Sequence, residues 1–388
     1  MRNIGNSEPA HPTGSAGCRP RARVALLTHS TSPRGGHVHT LGLGEALHRA
    51  GESVHLFALG TRLYREVELP HTLVPGPRRE GTTLTERTLD GIERLATALA
   101  ARITEFDVLH AQDCIAARAA LIARERTGAA VTVLRTAHHV DDFTTPVLVD
   151  CQRRAITEPD RVLVVSRMWR DILARDFAVE TTVVPNGVDL ARFAQPAPVA
   201  KPDRFLLLAV GGIEPRKGSV HLIRALARLT DLDPELVVVG GHSFQDFAPY
   251  REAALAEAAE LGVVVREVGT VSDAELAGWY AAADALAYPS TAEGFGLVPI
   301  EAMALGVPVV ASDLPVFREH LTDGRDALLP PVGDDEALAA ALRRVITDPA
   351  LRDSLRRSGC ATAATFTWAN AADAHREVYA ELTRTPTP

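Results

Sequence analysis

Lysine is nearly missing from this chain: of 41 basic residues only Lys201 and Lys217 are lysines, and arginine supplies the rest. A lysine kept against such a background marks a position where a compact, strongly hydrated ammonium has a task. Cysteine is scarce too. Cys18, Cys114, Cys151 and Cys360 lie far apart with no C-x-x-C spacing, which argues against a zinc site and a disulfide framework and fits a reducing cytoplasm. No apolar run approaches the ~18 residues that a membrane-crossing helix needs. Aromatic residues make up 5% of the chain, and 46% hydrophobic with 23% charged residues is the composition expected of a soluble globular protein. Neither half is basic. Residues 1–190 hold 23 Arg and Lys against 22 Asp and Glu, and the remainder 18 against 27, so nucleic acid is not an expected partner. Arginine clusters at Arg153-Arg154 and at Arg167, Arg170 and Arg175 would allow weak contact with an anionic membrane surface, although solvated helix faces account for them equally well.

What is present is repetition of buried strands and helices. At 388 residues the chain exceeds one ordinary core, and two domains are expected. The first 21 residues contain Gly, Pro and Ser but no apolar signal region, and read as a disordered tail. Residues 22–195 alternate apolar strand runs with helices, beginning with the strand RVALLTHS, the glycine loop PRGGHVHT and the helix LGLGEALHRAG. Gly35 and Gly36 therefore follow the first strand, at the carboxyl edge where open α/β sheets bind ligands, and an ordinary turn is the other reading of them. The later Gly-Leu-Gly is no dinucleotide fingerprint, since it lies inside the helix. A strand ending in Thr-Ala-His-His delivers His138 and His139 to the same edge. Proline-rich residues 196–203 form a linker, and residues 204–367 repeat the α/β alternation. Residues 368–388 read as a closing helix.

The densest chemistry lies between Pro289 and Ser312. A short strand ends at Pro289, and a helix is expected to begin with Pro299 at its first position. Gly294, Phe295, Gly296 and Leu297 then form the turn into the helix, where unpaired amides and the positive end of the helix dipole suit a phosphate. Glu293 and Glu301 stand eight positions apart; taken singly they read as a helix-start cap and an exposed helical residue. Arg216, Lys217 and Gly218 follow the first strand of the second half, two adjacent cations that suit a diphosphate leaving group.

Together, Glu293-x7-Glu301, the flanking Pro-Ser and the trailing GVPVVAS resemble the signature of retaining family 4 glycosyltransferases with the GT-B fold, two Rossmann-like doubly wound parallel-sheet domains facing a deep cleft. PNGVD with Phe193 resembles the piece of that family before the crossing into the second domain, and TWANAADAHREVY the helix that crosses back. The resemblance covers roughly Val24 to Leu382. It implies a hexosyl transfer from a nucleoside diphosphate sugar to an acceptor hydroxyl, without metal or other cofactor. It places Lys217 on the donor phosphates, the nucleotide base near Val268, Glu301 on the ribose and Glu293 on the sugar. The glycine pair faces donor and acceptor across the cleft, and His138 lines the wall beside the transferred sugar, with His139 an open alternative and Asp141 or Asp142 as acceptor contacts. Small-molecule, saccharide and lipid acceptors all stay open. One departure stands out: Gly212 occupies the family's arginine position, so Arg216 is expected to substitute. Phosphorylases of similar architecture need a lysine for pyridoxal phosphate, and none remains here. A nucleotide-sugar epimerase or a non-catalytic sugar-nucleotide binding protein are the alternatives to transfer.

Overall fold

Apolar runs in the first half form a seven-stranded parallel sheet, because strands covered by helices on both faces have no polar side to show. The computed structural model describes residues 21–384 apart from 32–34, 78–80, 141–142 and 242–246, so most of the expected tail, Asp141 and Asp142 lie outside the described residues. In chain order the first half runs β1 (Arg23–Thr28), α1 (Gly35–Arg49), β2 (Ser53–Leu59), β3 (His71–Val74), α2 (Leu84–Ala100) and β4 (Val108–Ala111). It continues with α3 (Cys114–Thr127), β5 (Thr132–Ala137), α4 (Pro146–Thr157), β6 (Arg161–Val164), α5 (Arg167–Phe177) and β7 (Thr181–Val183). The strand order β3-β2-β1-β4-β5-β6-β7 reverses direction between β1 and β4. Alternate residues of β1 serve opposite cores: Ala25 and Leu27 pack with α2 and α3, Val24 and Leu26 with α1 and the last helix of the chain.

The second half runs β8 (Leu206–Val210), α6 (Ser219–Leu226), β9 (Glu235–Val239), α7 (Ala248–Glu260), β10 (Val265–Gly269), α8 (Asp273–Ala282) and β11 (Ala285–Tyr288). Then follow α9 (Leu297–Ala304), β12 (Val309–Ala311), α10 (Pro315–Arg318), α11 (Asp335–Thr347), α12 (Pro349–Ala363) and α13 (Trp368–Arg384). Its five parallel strands are ordered β10-β9-β8-β11-β12, with the reversal between β8 and β11. Each sheet thus has a switch point where the loops at the strand carboxyl ends part, the place where such sheets hold ligands. The chain crosses between the sheets twice, and the crossings run side by side: Val188 bridges Thr367, and its amide donates to Phe366 O at 2.9 Å. Beyond them α13 docks on the first sheet's helices, burying Trp368, Ala371 and Tyr379 in the cluster of Leu26 and Leu41.

Several local expectations need correction. Gly35 and Gly36 are not a loop before the helix but its first two residues, since the first helical turn needs no partner for its amides and tolerates glycine there. Helix α9 starts at Leu297, which puts Pro299 at the third helical position, where its missing N–H is still one of the four unpaired ones. The turn-rich segment before α2 contains the short edge strand β3, and the last apolar run, near Leu328, makes only a single bridge to Val310 and no strand.

Candidate active site

Two loops meet at the second switch point. After β8 the chain makes a 3-10 turn at Pro215–Lys217, and after β11 it passes through Pro289 to Gly296 before entering α9. The Thr291 amide donates to Arg216 O at 2.8 Å, which fixes one loop on the other. At their junction Glu293 is 9% exposed by its side chain and carries three donors on one oxygen. Lys217 Nζ donates to Glu293 Oε1 at 2.8 Å, Tyr288 OH donates to it at 2.8 Å, and Arg216 Nη1 lies 3.0 Å away. Burial opposes the Glu293 charge, yet Lys217, Arg216 and the hydroxyl outweigh it and leave the carboxyl below its ordinary range. Burial also lowers the Lys217 ammonium, with Glu293 opposing the fall and Arg216 adding to it. Gly212 shows why the guanidinium comes from Arg216: a Cβ at Gly212 would stand 2.5 Å from Gly241 O.

Gly296, with φ +88°, turns the chain into α9 in the left-handed region that glycine alone enters freely, and a Cβ there would strike the Phe317 ring. Phe295 was expected against the ligand, but its side chain is 4% exposed and packs in the second lobe's core against His320 and Phe366. Leu297 is likewise partly packed on that core, leaving backbone as what this turn offers.

Glu301, on α9, is 7% exposed and so is not the solvated helical residue that its isolated reading suggests. Arg192 Nη1 lies 3.3 Å from one of its oxygens and Tyr280 OH donates to the other at 3.1 Å. Arg192, from the 3-10 turn of the first crossing, also grips Asp273 at 2.6 and 3.2 Å. Burial raises the Glu301 pKa despite Arg192 and Tyr280. Tyr280 and Tyr288 sense each other electrostatically, so the two carboxylate clusters adjoin. Val268 is the bulged residue of β10: Glu267 pairs with Val238 and Gly269 with Val239, which leaves Val268 without an opposite residue in β9.

The facing wall comes from the first switch point. His138, just past β5, is half-buried against His39, with ring centroids 4.5 Å apart, and His138 Nε2 lies 3.1 Å from Gln112 Oε1. Burial, with His139 and Arg135 adding to it, drops its pKa to about 3, so it is neutral. His139 is exposed. A Cβ on Gly36 would sit 3.8 Å from His138 Cδ2, which places the start of α1 beside the histidine. The lobes touch here: a Cβ on Gly294 would lie 2.5 Å from His138 O, and Ser166 Oγ donates to Gly294 O at 3.3 Å. Glu319 accepts the first amides of α5, from Arg167 and Met168, each at 2.7 Å.

Sequence reasoning missed Tyr288, Tyr280, Arg192 and Gln112. Both tyrosines lie among core residues and read as packing; the only signal was that Tyr288 immediately precedes Pro289. Chemically the arrangement offers two cations and a helix N-terminus for an anion, a carboxylate within their reach, and a neutral imidazole opposite.

Residues 33–192 match the family described as Glycosyltransferase Family 4, and residues 192–361 the family described as Glycosyl transferases group 1. The D-inositol 3-phosphate glycosyltransferase of Actinosynnema mirum is 33% identical over 291 residues, covering 68% of this chain and 69% of its own. Among solved structures, sucrose-phosphate synthase from Thermosynechococcus elongatus superposes with a TM-score of 0.78 at 24% identity, over 94% of this chain and 100% of the other. Anabaena HepE, solved with UDP and glucose, gives 0.77 at 19% identity over 92% and 99%. Two facing parallel-sheet lobes, the paired matches along the chain and this identity to a curated relative agree: the chain belongs to the family 4, group 1 glycosyltransferases of GT-B fold.

Proposed function

We propose that this enzyme moves a hexosyl group from a nucleoside diphosphate sugar to an acceptor hydroxyl with retention of anomeric configuration and without a metal. The observation that carries the reading is the convergence of Lys217, Arg216 and Tyr288 on one oxygen of Glu293. An arriving diphosphate takes the two cations and the amides near Gly296. Glu293 is then released toward the sugar hydroxyls and the positive charge that develops at the anomeric carbon. Glu301 receives the ribose hydroxyls, because a carboxylate with one contact per oxygen still has lone pairs to offer. The bulge at Val268 supplies backbone for the base. His138, with Gly35 and Gly36 behind it, borders the sugar from the first lobe, and exposed His139 stays outside the reacting centre. The UDP-bound structures of HepE make a UDP-hexose the first donor to try.

Retention follows from what the facing wall can do. Asp113, near His138, accepts the Ala116 amide at 2.8 Å as the cap of α3, accepts the His29 amide at 2.8 Å and pairs with His29 Nδ1 at 3.0 Å, so it is committed. With no free nucleophilic carboxylate on that wall among the described residues, the acceptor oxygen attacks the face from which the diphosphate departs. The new C–O bond forms as the bond to the β-phosphate oxygen breaks, and that oxygen takes the acceptor proton. The lobes 22–195 with 368–388 and 204–367, joined by the linker 196–203, would close around the reaction. No described helix is long and apolar enough to cross a membrane, and we place the reaction in the cytoplasm, where such donors are made. Thermal shift with UDP-, GDP- and ADP-glucose tests the reading: one of them should raise the melting temperature, and no response to any would contradict it.

A further inference from the structure

A chain of side chains runs from the closing helix to the cleft. Tyr379 of α13 places its OH 2.8 Å from His110 Nδ1, and both residues are buried. His110 Nε2 lies 2.8 Å from Thr136 Oγ1 and 3.1 Å from Gln112 Nε2. Gln112 Oε1, the other end of the amide, lies 3.1 Å from His138 Nε2. An amide nitrogen only donates and an amide oxygen only accepts, so the orientation of Gln112 decides the protons on both rings. His110 Nε2 accepts from Gln112, which leaves the ring proton on Nδ1, where it donates to Tyr379 OH. His138 Nε2 carries its proton and donates to Gln112, which leaves Nδ1 bare.

We propose that Tyr379, His110 and Gln112 are positioning residues through which helix α13 holds His138 as the Nε2–H tautomer, with Nδ1 available to accept a hydroxyl of the sugar or acceptor. This rests on the placing of His138 in the catalytic cleft. The groups around His138 suit a fixed neutral ring: His39 from α1, His375 from α13, Arg135 from β5, Asp113 after β4 and its neighbour His139. His110 is held neutral as well, by burial first and then by His375 and His138. A neutral imidazole in water divides its proton between two nitrogens, and a hydrogen bond to one of them is what makes the choice. The helix that returns from the second lobe therefore sets the state of a side chain on the first.

The test is nitrogen NMR of the full chain labelled at histidine nitrogens, with the His138 and His110 signals identified by His138→Gln and His110→Gln. The expected result is a protonated Nε2 and bare Nδ1 at His138, and the reverse at His110. Tyr379→Phe should let both rings average between tautomers. Turnover of whichever nucleotide sugar stabilises the enzyme most among UDP-, GDP- and ADP-glucose should then fall about tenfold with donor KM within about twofold. Gln112→Glu is the second variant: a carboxylate facing Nε2 should raise the His138 pKa and move the acid limb of the activity profile upward. A His138 ring protonated on Nδ1, or a Tyr379→Phe protein with unchanged nitrogen signals, would overturn the proposal. Full turnover in His138→Ala alongside the expected tautomers would instead overturn the cleft reading on which it rests.

Discussion

Lys217 Nζ and Glu293 Oε1 form a hydrogen-bonded ion pair at 2.8 Å, with side chains 17% and 9% exposed, at the carboxyl ends of β8 and β11. A buried pair of this kind costs desolvation on both sides and is weak evidence of a stabilising role. Its position at a sheet's switch point, with Arg216 as a second cation on the same oxygen, gives it a use: the pair stores two positive groups that a diphosphate can claim.

Removing the carboxylate should therefore harm chemistry more than binding. Glu293→Gln keeps the size of the side chain and should cut kcat by ~10²–10³-fold with donor KM changed little, as expected of an interaction that strengthens in the transition state. Steady-state kinetics check this; equal loss in kcat and donor affinity would assign Glu293 to ground-state binding.

Arg192 belongs to a different balance. Its guanidinium is the counter-ion of buried Glu301, so Arg192→Ala should destabilise the protein by about 3–5 kcal/mol, the usual cost of leaving a buried charge alone. Glu301→Gln, which keeps the Tyr280 contact, should fold normally and raise donor KM with little change in kcat. Urea unfolding and kinetics of the two variants separate these effects.

Gly294 reports on the contact between lobes. A Cβ there meets the His138 carbonyl at 2.5 Å, so Gly294→Ala should hold the cleft ajar. Turnover should fall about 10²-fold through misplacement of the facing wall, while affinity for free nucleoside diphosphate stays near wild type. Calorimetric titration with UDP beside a turnover assay distinguishes this from simple unfolding, which would remove both.

Acid should loosen the first lobe. Burial holds His39 and His110 well below the ordinary 6.5 and His375 at about 4, so the unfolded chain takes up protons that the folded one refuses. Stability is then fully present above pH 6.5 and is lost as pH falls from there toward 4, by about 1.4 kcal/mol per pH unit for each such histidine. Urea midpoints at pH 7.5, 6 and 5 should decline steeply; a flat series would mean that the cluster is hydrated.

Much of this was legible in the sequence. The strand and helix alternation, the crossing helix and the convergence of Lys217 with Glu293 follow from apolar period, turn residues and the spacing of two glutamates. What stayed hidden is tertiary. Tyr280 and Tyr288 are apolar in any local window, and their hydroxyls matter only because the fold aims them at carboxylates. Arg192 reads as a solvated turn residue until the crossing brings it against α9. Phe295 lies in a glycine-rich turn that suggests ligand, yet its ring is too apolar to stay out of the adjoining core. Gly35 looked like loop punctuation because glycine breaks helices in their interior far more than at their first residue.

The most direct measurement compares UDP-glucose binding to the wild-type enzyme and to Lys217→Ala by calorimetric titration, with uridine as the control ligand. The account predicts that loss of the ammonium weakens UDP-glucose at least about tenfold, as expected for a charge-assisted phosphate contact, and leaves uridine unchanged. Equal affinity of both proteins for UDP-glucose would contradict a diphosphate held at Lys217.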